Sequence, residues 1–180
     1  MSASVNLTQA IAELKRIDIH AEIYWRSIPS VFRKTPLEWV PSFLDGNRYN
    51  PKEKFAALYF AGCEKLAEKE TEAKAKPSYL EPREYLKFRI NINGVMDLTL
   101  RENLEVLEKK HKIRREDLIQ PAGPAYSGYT TTQLIGSCVF ENDIPGFKVL
   151  SSKENPDQAE RWHNLVLFPS KIISKFISLC

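Results

Sequence analysis

Apolar and polar residues alternate without a break from Tyr85 to Ile92. In an extended chain the apolar set occupies one side and the polar set the other: Leu86, Phe88, Ile90 and Ile92 against Lys87, Arg89 and Asn91. This period of two predicts a strand with one buried and one solvated face. Asn93-Gly94 follows as a turn dipeptide, and Val95 begins a short apolar piece that ends at Leu98.

A second pattern runs from Gly46 to Glu70. Gly46-Asn47 and Asn50-Pro51 are typical of turns, and the apolar run from Phe55 to Phe60 predicts a buried strand. After Gly62 the period changes to that of a helix, whose inward stripe is Cys63, Leu66, Ala67 and Glu70. This arrangement places Arg48, Tyr59 and Glu70 on one side of a strand-and-helix unit. A simpler interpretation is an amphipathic unit with a structural Arg48–Glu70 ion pair.

The remaining patterns alternate less regularly between strand and helix. Helices are predicted at 3–15, 64–76, 99–107 (with Thr99 and Glu102 as a capping box), 113–119, 130–140 and 171–180, the last as a docking helix. Strands are predicted at 21–25 (ended by Arg26), 146–150 and 165–168, and loops at 27–33, 36–45 and 121–128, the last a candidate lid or wall. Without steady βαβ alternation, the chain predicts one α+β domain over 1–180, with a mixed sheet, surrounding helices and a core at about 20–170.

Composition excludes several classes. The chain has 180 residues, 43% hydrophobic and 27% charged, with a net charge of only +3, which gives no argument for direct nucleic-acid binding. Its three cysteines and three histidines lack metal-ligand spacing, so we expect reduced thiols, no metal and a cytoplasmic location. No window reaches the roughly 18 apolar residues of a membrane span. Neither a dinucleotide-binding G-x-G-x-x-G nor a nucleophile elbow occurs.

The order of several short motifs resembles the RES domain, a family named for its Arg, Glu and Ser. An aromatic-flanked arginine comes first, then G-x-R-[WY]-N, a Leu-Tyr strand and a glutamate on the next helix. In this chain these are Tyr24-Trp25-Arg26, Gly46 to Asn50, Leu58 to Ala61, and Glu70. The later matches are Asp97-Leu98-Thr99, T-x-Q-x-I-G at Thr131 to Gly136, and Gly146 to Ser151 before a final apolar strand.

This resemblance implies an ADP-ribosyltransferase-like fold and the toxin of a toxin–antitoxin pair that degrades NAD. NAD would be the substrate, with no further cofactor, and its nicotinamide–ribose bond would be cleaved by hydrolysis or phosphorolysis. The implied partner is an Xre-type helix-turn-helix antitoxin. A protein-modifying ADP-ribosyltransferase and a non-catalytic binding module are the alternatives, and apolar residues at the termini leave a homodimer possible.

The resemblance also implies roles for particular residues. Arg26 and Arg48 would hold the pyrophosphate, since arginine is always charged and bidentate. Tyr59 and Tyr49 would contact NAD, with Tyr59 at the nicotinamide end. Glu70 would stabilise the oxocarbenium-like ribose or orient the acceptor.

Ser151 would hydrogen-bond the ribose or the nicotinamide amide. Ser152 is the alternative to Ser151, and Glu68 the alternative to Glu70. A two-residue shift turns a helical side chain by about 200°, so only one of the two glutamates can point inward.

Overall fold

A computed structural model describes residues 3–72, 82–119, 129–153, 155, 160–172 and 174–180. The helices are α1 (Ala3–Glu13), α2 (Val40–Asp45), α3 (Glu64–Glu72), α4 (Arg101–His111), α5 (Arg115–Ile119) and α6 (Thr131–Glu141). The strands are β1 (Arg16–Pro29), β2 (Leu58–Ala61), β3 (Arg83–Asp97), β4 (Gly146–Leu150), β5 (His163–Leu167) and β6 (Ile177–Leu179). The architecture is the predicted α+β domain with a mixed sheet.

The sheet curls back on itself. Its strand order is β1-β2-β5-β4-β3-β6, and β1 also pairs with β3. β3 and β4 are parallel, whereas the other pairs are antiparallel. The two inner strands β4 and β5 are short and almost fully buried. Apart from Lys148, His163 and Asn164 their residues are apolar or glycine, as suits strands that are buried on both faces.

β1 and β3 form a long two-stranded ribbon. β3 runs straight through Asn93-Gly94, so the predicted turn there was wrong, and β1 continues beyond Arg26 to Pro29. The register shifts twice, once on either side of the Ile19–Ile92 pair, as expected for two compensating β-bulges. Gly94 has a φ of 72°, and its N–H donates to Asp18 Oδ1 at 2.8 Å. Asn93-Gly94 therefore lies at one of the register shifts of the ribbon and does not reverse the chain.

Two hydrophobic clusters lie on opposite faces of the inner strands. On β5, Val166 packs with α1, α4, α5 and α6, whereas Leu165 and Leu167 pack with the β1–β3 ribbon. The predicted stripe of α1 is confirmed, because Leu7 and Ile11 are buried in the first cluster. The helix predicted at 130–140 is also confirmed as α6, and it starts with a capping box between Thr130 and Gln133.

Three further local predictions were wrong. The segment 36–45 contains the short helix α2, and Trp39 and Leu44 remain exposed instead of packing inward. Thr99 does not cap α4; its hydroxyl and N–H donate to Asp97, and Glu102 pairs with Lys15 at 2.8 Å.

The expected C-terminal helix is also absent from the described residues, which form a 3-10 turn and then β6 against β3. The C-terminal residues form a strand because the edge of β3 at Phe88–Ile90 is open to them as a pairing partner. The loop predicted at 121–128 and the end of the helix predicted at 64–76 lie outside the described residues.

Candidate active site

A cavity of about 450 Å³ opens where the sheet splits. β1 and β2 pair only at Trp25 and Ala61. Beyond that pair, β1 follows β3 while β2 follows β5, and the gap is walled by α3 and by the segment 31–47. Among the predicted site residues, Arg26, Tyr59 and Glu70 line this cavity. Its size is in the usual range for a small-molecule site.

Glu70 enters the cavity wall from α3. Leu66 and Ala67 on the same helix are buried, and the i+3/i+4 spacing carries Glu70 to the same face. Its Oε1 accepts hydrogen bonds from Ser151 Oγ at 2.6 Å and Asn164 Nδ2 at 2.9 Å. Glu68 is exposed. Of the two glutamates, Glu70 is therefore the one that the fold places at the cavity.

Arg48 contacts Ser152, the serine that follows Ser151 in the chain. Its Nη2 donates to Ser152 Oγ at 2.5 Å, and its guanidinium lies 5.9 Å from the centre of the Tyr49 ring. The two adjacent serines thus divide the contacts, since Ser151 binds Glu70 and Ser152 binds Arg48. Among the described residues, Arg48 and Glu70 form no direct ion pair, and Arg48 is not part of the cavity wall.

Helix α6 holds the loop that carries Arg48. Thr132 Oγ1 donates to the Arg48 carbonyl at 2.7 Å, and Gln133 Nε2 donates to the Asn47 carbonyl at 3.1 Å. A Cβ on Gly136 would lie 1.8 Å from the Tyr49 carbonyl oxygen, so only glycine allows this close approach. The T-x-Q-x-I-G motif is thus the support on which the G-x-R-[WY]-N loop rests.

Tyr49 belongs to the hydrophobic core and does not reach the cavity. It is 1% exposed, its hydroxyl donates to the Leu118 carbonyl at 2.6 Å, and its ring meets Phe147 edge-on at 4.9 Å. Burial raises the pKa of Tyr49 to about 12. The structure thus corrects the expected contact with NAD, because a wholly buried ring cannot stack on a ligand.

Tyr59 lines the cavity with its half-buried side chain. Its hydroxyl donates to Asn50 Oδ1 at 2.9 Å and accepts the Tyr49 N–H at 3.1 Å. Asn50 is fully buried and also donates to the Ser42 carbonyl at 2.7 Å. The Tyr59 hydroxyl therefore braces the loop that carries Arg48, while its ring packs against the first hydrophobic cluster at the edge of the cavity.

Arg26 lines the cavity and also fastens its outer wall. Its Nη1 donates to the Pro36 carbonyl and its Nη2 to the Glu38 carbonyl, both at 2.8 Å. Burial lowers the pKa of Arg26 to about 10, an effect that Glu38 opposes and Arg83 reinforces. Arg26 thus has a structural partner on each terminal nitrogen, which sequence analysis did not anticipate.

Two residues of the site escaped the sequence analysis. Asn164 is 8% exposed at the start of β5 and donates to Glu70, and Arg83 lines the cavity from the start of β3. A polar residue immediately before the apolar run of β5 was a signal for Asn164. Arg83 had no comparable signal, because it follows Pro82 in a polar stretch.

Comparison with known proteins identifies the family. The model of the RES domain matches residues 13–177, which is most of the chain. The chain belongs to the RES domain family. The RES fold recurs in a chain of the crystal structure of the M. tuberculosis MbcT-MbcA toxin–antitoxin complex, with a TM-score of 0.71 and 17% identity, covering 99% of this chain and 91% of that one. No curated protein matches the sequence.

Within the described residues, no group of three or more His, Cys, Asp or Glu side chains is placed to hold a metal ion. No helix of the described part is long and apolar enough to cross a membrane.

Proposed function

We propose that this RES domain protein is an NAD-degrading toxin of a toxin–antitoxin pair, which cleaves the bond between nicotinamide and ribose. The observation that carries the proposal is the Glu70 carboxylate, held by Ser151 and Asn164 in the wall of a 450 Å³ cavity. A carboxylate fixed beside a glycosidic carbon stabilises the positive charge that develops there. The resemblance of the motifs supplies NAD as the substrate.

The reaction follows from the charge that Glu70 carries. As the bond from ribose C1′ to the nicotinamide nitrogen breaks, its electron pair leaves with nicotinamide and neutralises the pyridinium. The carboxylate stabilises the ribosyl cation while a water or phosphate oxygen attacks C1′, and an attacking water releases one proton to the solvent. Ser151 and Asn164 both donate to Oε1, and they fix the carboxylate before the substrate arrives.

The other cavity residues have binding roles in this proposal. The Tyr59 ring stacks on the nicotinamide end, and Arg26 contacts the diphosphate with donors left beyond its two carbonyl contacts. Arg48 lies beside the cavity wall and contributes through its hydrogen bond to Ser152. NAD is the substrate, and no resident cofactor takes part.

Product analysis tests the proposed function. Purified protein is incubated with NAD labelled in the adenylate half, with and without phosphate, and the products are separated by chromatography. The expected result is free nicotinamide together with ADP-ribose, or with ADP-ribose phosphate when phosphate is present. Label that enters a protein band would instead identify an ADP-ribosyltransferase, and intact NAD would contradict both activities.

The toxin role includes a partner. The similar fold of a chain from the MbcT-MbcA toxin–antitoxin complex supports an antitoxin, and we propose an Xre-type helix-turn-helix protein. Its chain would block the cavity near Arg26 and Arg48, for example with a carboxylate. Coexpression with the neighbouring gene product should give a stable complex by gel filtration and abolish NAD loss. Gel filtration of the protein alone would also test for a homodimer.

A further inference from the structure

Arg83 is a second arginine in the cavity wall. It is the first residue of β3, lies across from Pro29 of β1, and is half-buried. Its Nε donates to Ser27 Oγ at 2.7 Å and its Nη2 to the Ser27 carbonyl at 3.1 Å. Ser27 and Arg83 both line the cavity. The two hydrogen bonds therefore hold the planar guanidinium of Arg83 against β1 in the wall of the cavity.

Arg26 stands on the same wall, one residue before Ser27. It is directed by the Pro36 and Glu38 carbonyls, and the charge of Arg83 adds to the effect of burial in lowering the pKa of Arg26. Guanidinium groups have five N–H donors each, so the contacts with the protein leave donors on the Arg26 terminal nitrogens. Two fixed cations that repel each other inside a cavity are stabilised by an anion placed between them.

We propose that Arg83 and Arg26 together form a diphosphate-binding subsite on the β1–β3 wall of the cavity. The proposal rests on the proposed function, because NAD carries one diphosphate. It also changes the assignment expected from the sequence, in which Arg26 was paired with Arg48. Arg48 lies outside the cavity wall and gives its Nη2 to Ser152, whereas Arg83 is inside and already oriented. Two arginines suit this task because a guanidinium stays charged and donates charge-assisted hydrogen bonds to phosphate oxygens.

The competing explanation is that Arg83 only fastens the end of the ribbon to Ser27. Calorimetric titration with inorganic pyrophosphate and with ADP-ribose separates the two roles. The variants are Arg83→Gln and, as a matched control, Arg33→Gln. Arg33 is an exposed arginine that pairs with Glu84 at 3.5 Å, so its removal changes the net charge equally near the same strand. Arg83→Lys keeps the positive charge but lacks the oriented guanidinium. It replaces Arg83→Gln in the titration if that variant fails to fold.

We expect the dissociation constants of both probes to rise about 10-fold or more in Arg83→Gln, because hydrogen bonds to charged groups are lost. A smaller rise is expected in Arg83→Lys and none in Arg33→Gln. A folded Arg83→Gln protein with unchanged affinity for both probes overturns the subsite, and so does equal weakening by Arg33→Gln.

The subsite and the proposed function fail in different ways. If pyrophosphate binding depends on Arg83 but NAD is not consumed, the subsite stands and the proposed function is wrong. If NAD is consumed but ADP-ribose binds independently of Arg83, the function stands and the subsite is wrong. If the wild-type protein binds neither probe, the subsite is wrong whatever the NAD assay shows.

Discussion

The Ser151 hydroxyl donates a 2.6 Å hydrogen bond to Glu70 Oε1 and so joins the end of β4 to α3. The two residues are 81 positions apart in the chain. Ser151 Oγ also accepts the Lys153 N–H at 3.0 Å, which fixes the direction of the hydroxyl. The serine therefore serves to position the carboxylate.

Replacing Ser151 by alanine tests this positioning role. The Ser151→Ala variant should lower kcat for NAD cleavage about 10-fold and leave KM nearly unchanged, because one hydrogen bond to the carboxylate is lost. Ser152→Ala is the matched control; it releases Arg48 and should raise KM more than it lowers kcat. Steady-state kinetics of both variants measure the difference. Identical effects of the two substitutions would contradict the division of contacts between the serines.

The close packing of α6 on the Arg48 loop makes Gly136 a sensitive position. Alanine favours a helix over glycine by about 1 kcal/mol, but its Cβ would overlap the Tyr49 carbonyl. We expect Gly136→Ala to destabilise the protein by about 1–3 kcal/mol, as overpacking does. Urea unfolding measures the change, with Glu141→Ala at the exposed end of the same helix as control. A Gly136→Ala protein as stable as the wild type would show that α6 and the Arg48 loop do not pack as closely as described.

Arg26 should control the order of the outer wall. Its two hydrogen bonds to Pro36 and Glu38 fasten the segment 33–39 to β1. Arg26→Gln should therefore speed amide hydrogen exchange in that segment, measured by mass spectrometry without NAD, while exchange in α6 stays slow. Arg48→Gln serves as the control, since Arg48 contacts a different segment. Unchanged exchange in Arg26→Gln would mean that Arg26 acts on ligands alone.

His163 should make the stability depend on pH. Burial first, and then Lys148 and Arg161, lower the pKa of His163 to about 3 from an ordinary value of 6.5. Between these values the unfolded chain binds a proton that the folded protein does not, so the free energy of unfolding falls as the pH falls from about 6.5 towards 3. The contribution is at most about 1.4 kcal/mol per pH unit.

Urea unfolding at pH 7 and pH 5 tests the contribution of His163. The wild type should lose more stability between these values than His163→Gln does. His20→Gln, at an exposed position, should behave like the wild type. Equal losses in wild type and His163→Gln would exclude this histidine as the cause.

Local pattern identified much of the scaffold but less of the site. The stripe of α1 and the alternation of β3 were readable because each depends on residues close in sequence. The continuation of β3 through Asn93-Gly94 was not, since it depends on pairing with β1. The C-terminal strand β6 was not predicted for the same reason. Pairing with β3, which is distant in sequence, outweighs the local helical preference.

The candidate site shows the same limit. The resemblance to the RES domain indicated Glu70, whose place in the cavity wall agrees with the stripe of α3. It also suggested Tyr49, which lies in the core because its ring turns towards Phe147. Asn164 and Arg83 reach the site only through the folding of distant strands. The polar residue type before the apolar run of β5 was the one local signal for Asn164, and Arg83 had none.

The most direct test of the account compares two glutamates on one helix. Glu70→Gln and Glu68→Gln remove the same charge from α3, but only Glu70 lines the cavity. NAD turnover by purified wild type and both variants is measured as nicotinamide release, with circular dichroism to verify folding. We predict a loss of at least about 100-fold for Glu70→Gln and a rate close to that of the wild type for Glu68→Gln. A folded Glu70→Gln protein that releases nicotinamide at the wild-type rate would contradict it.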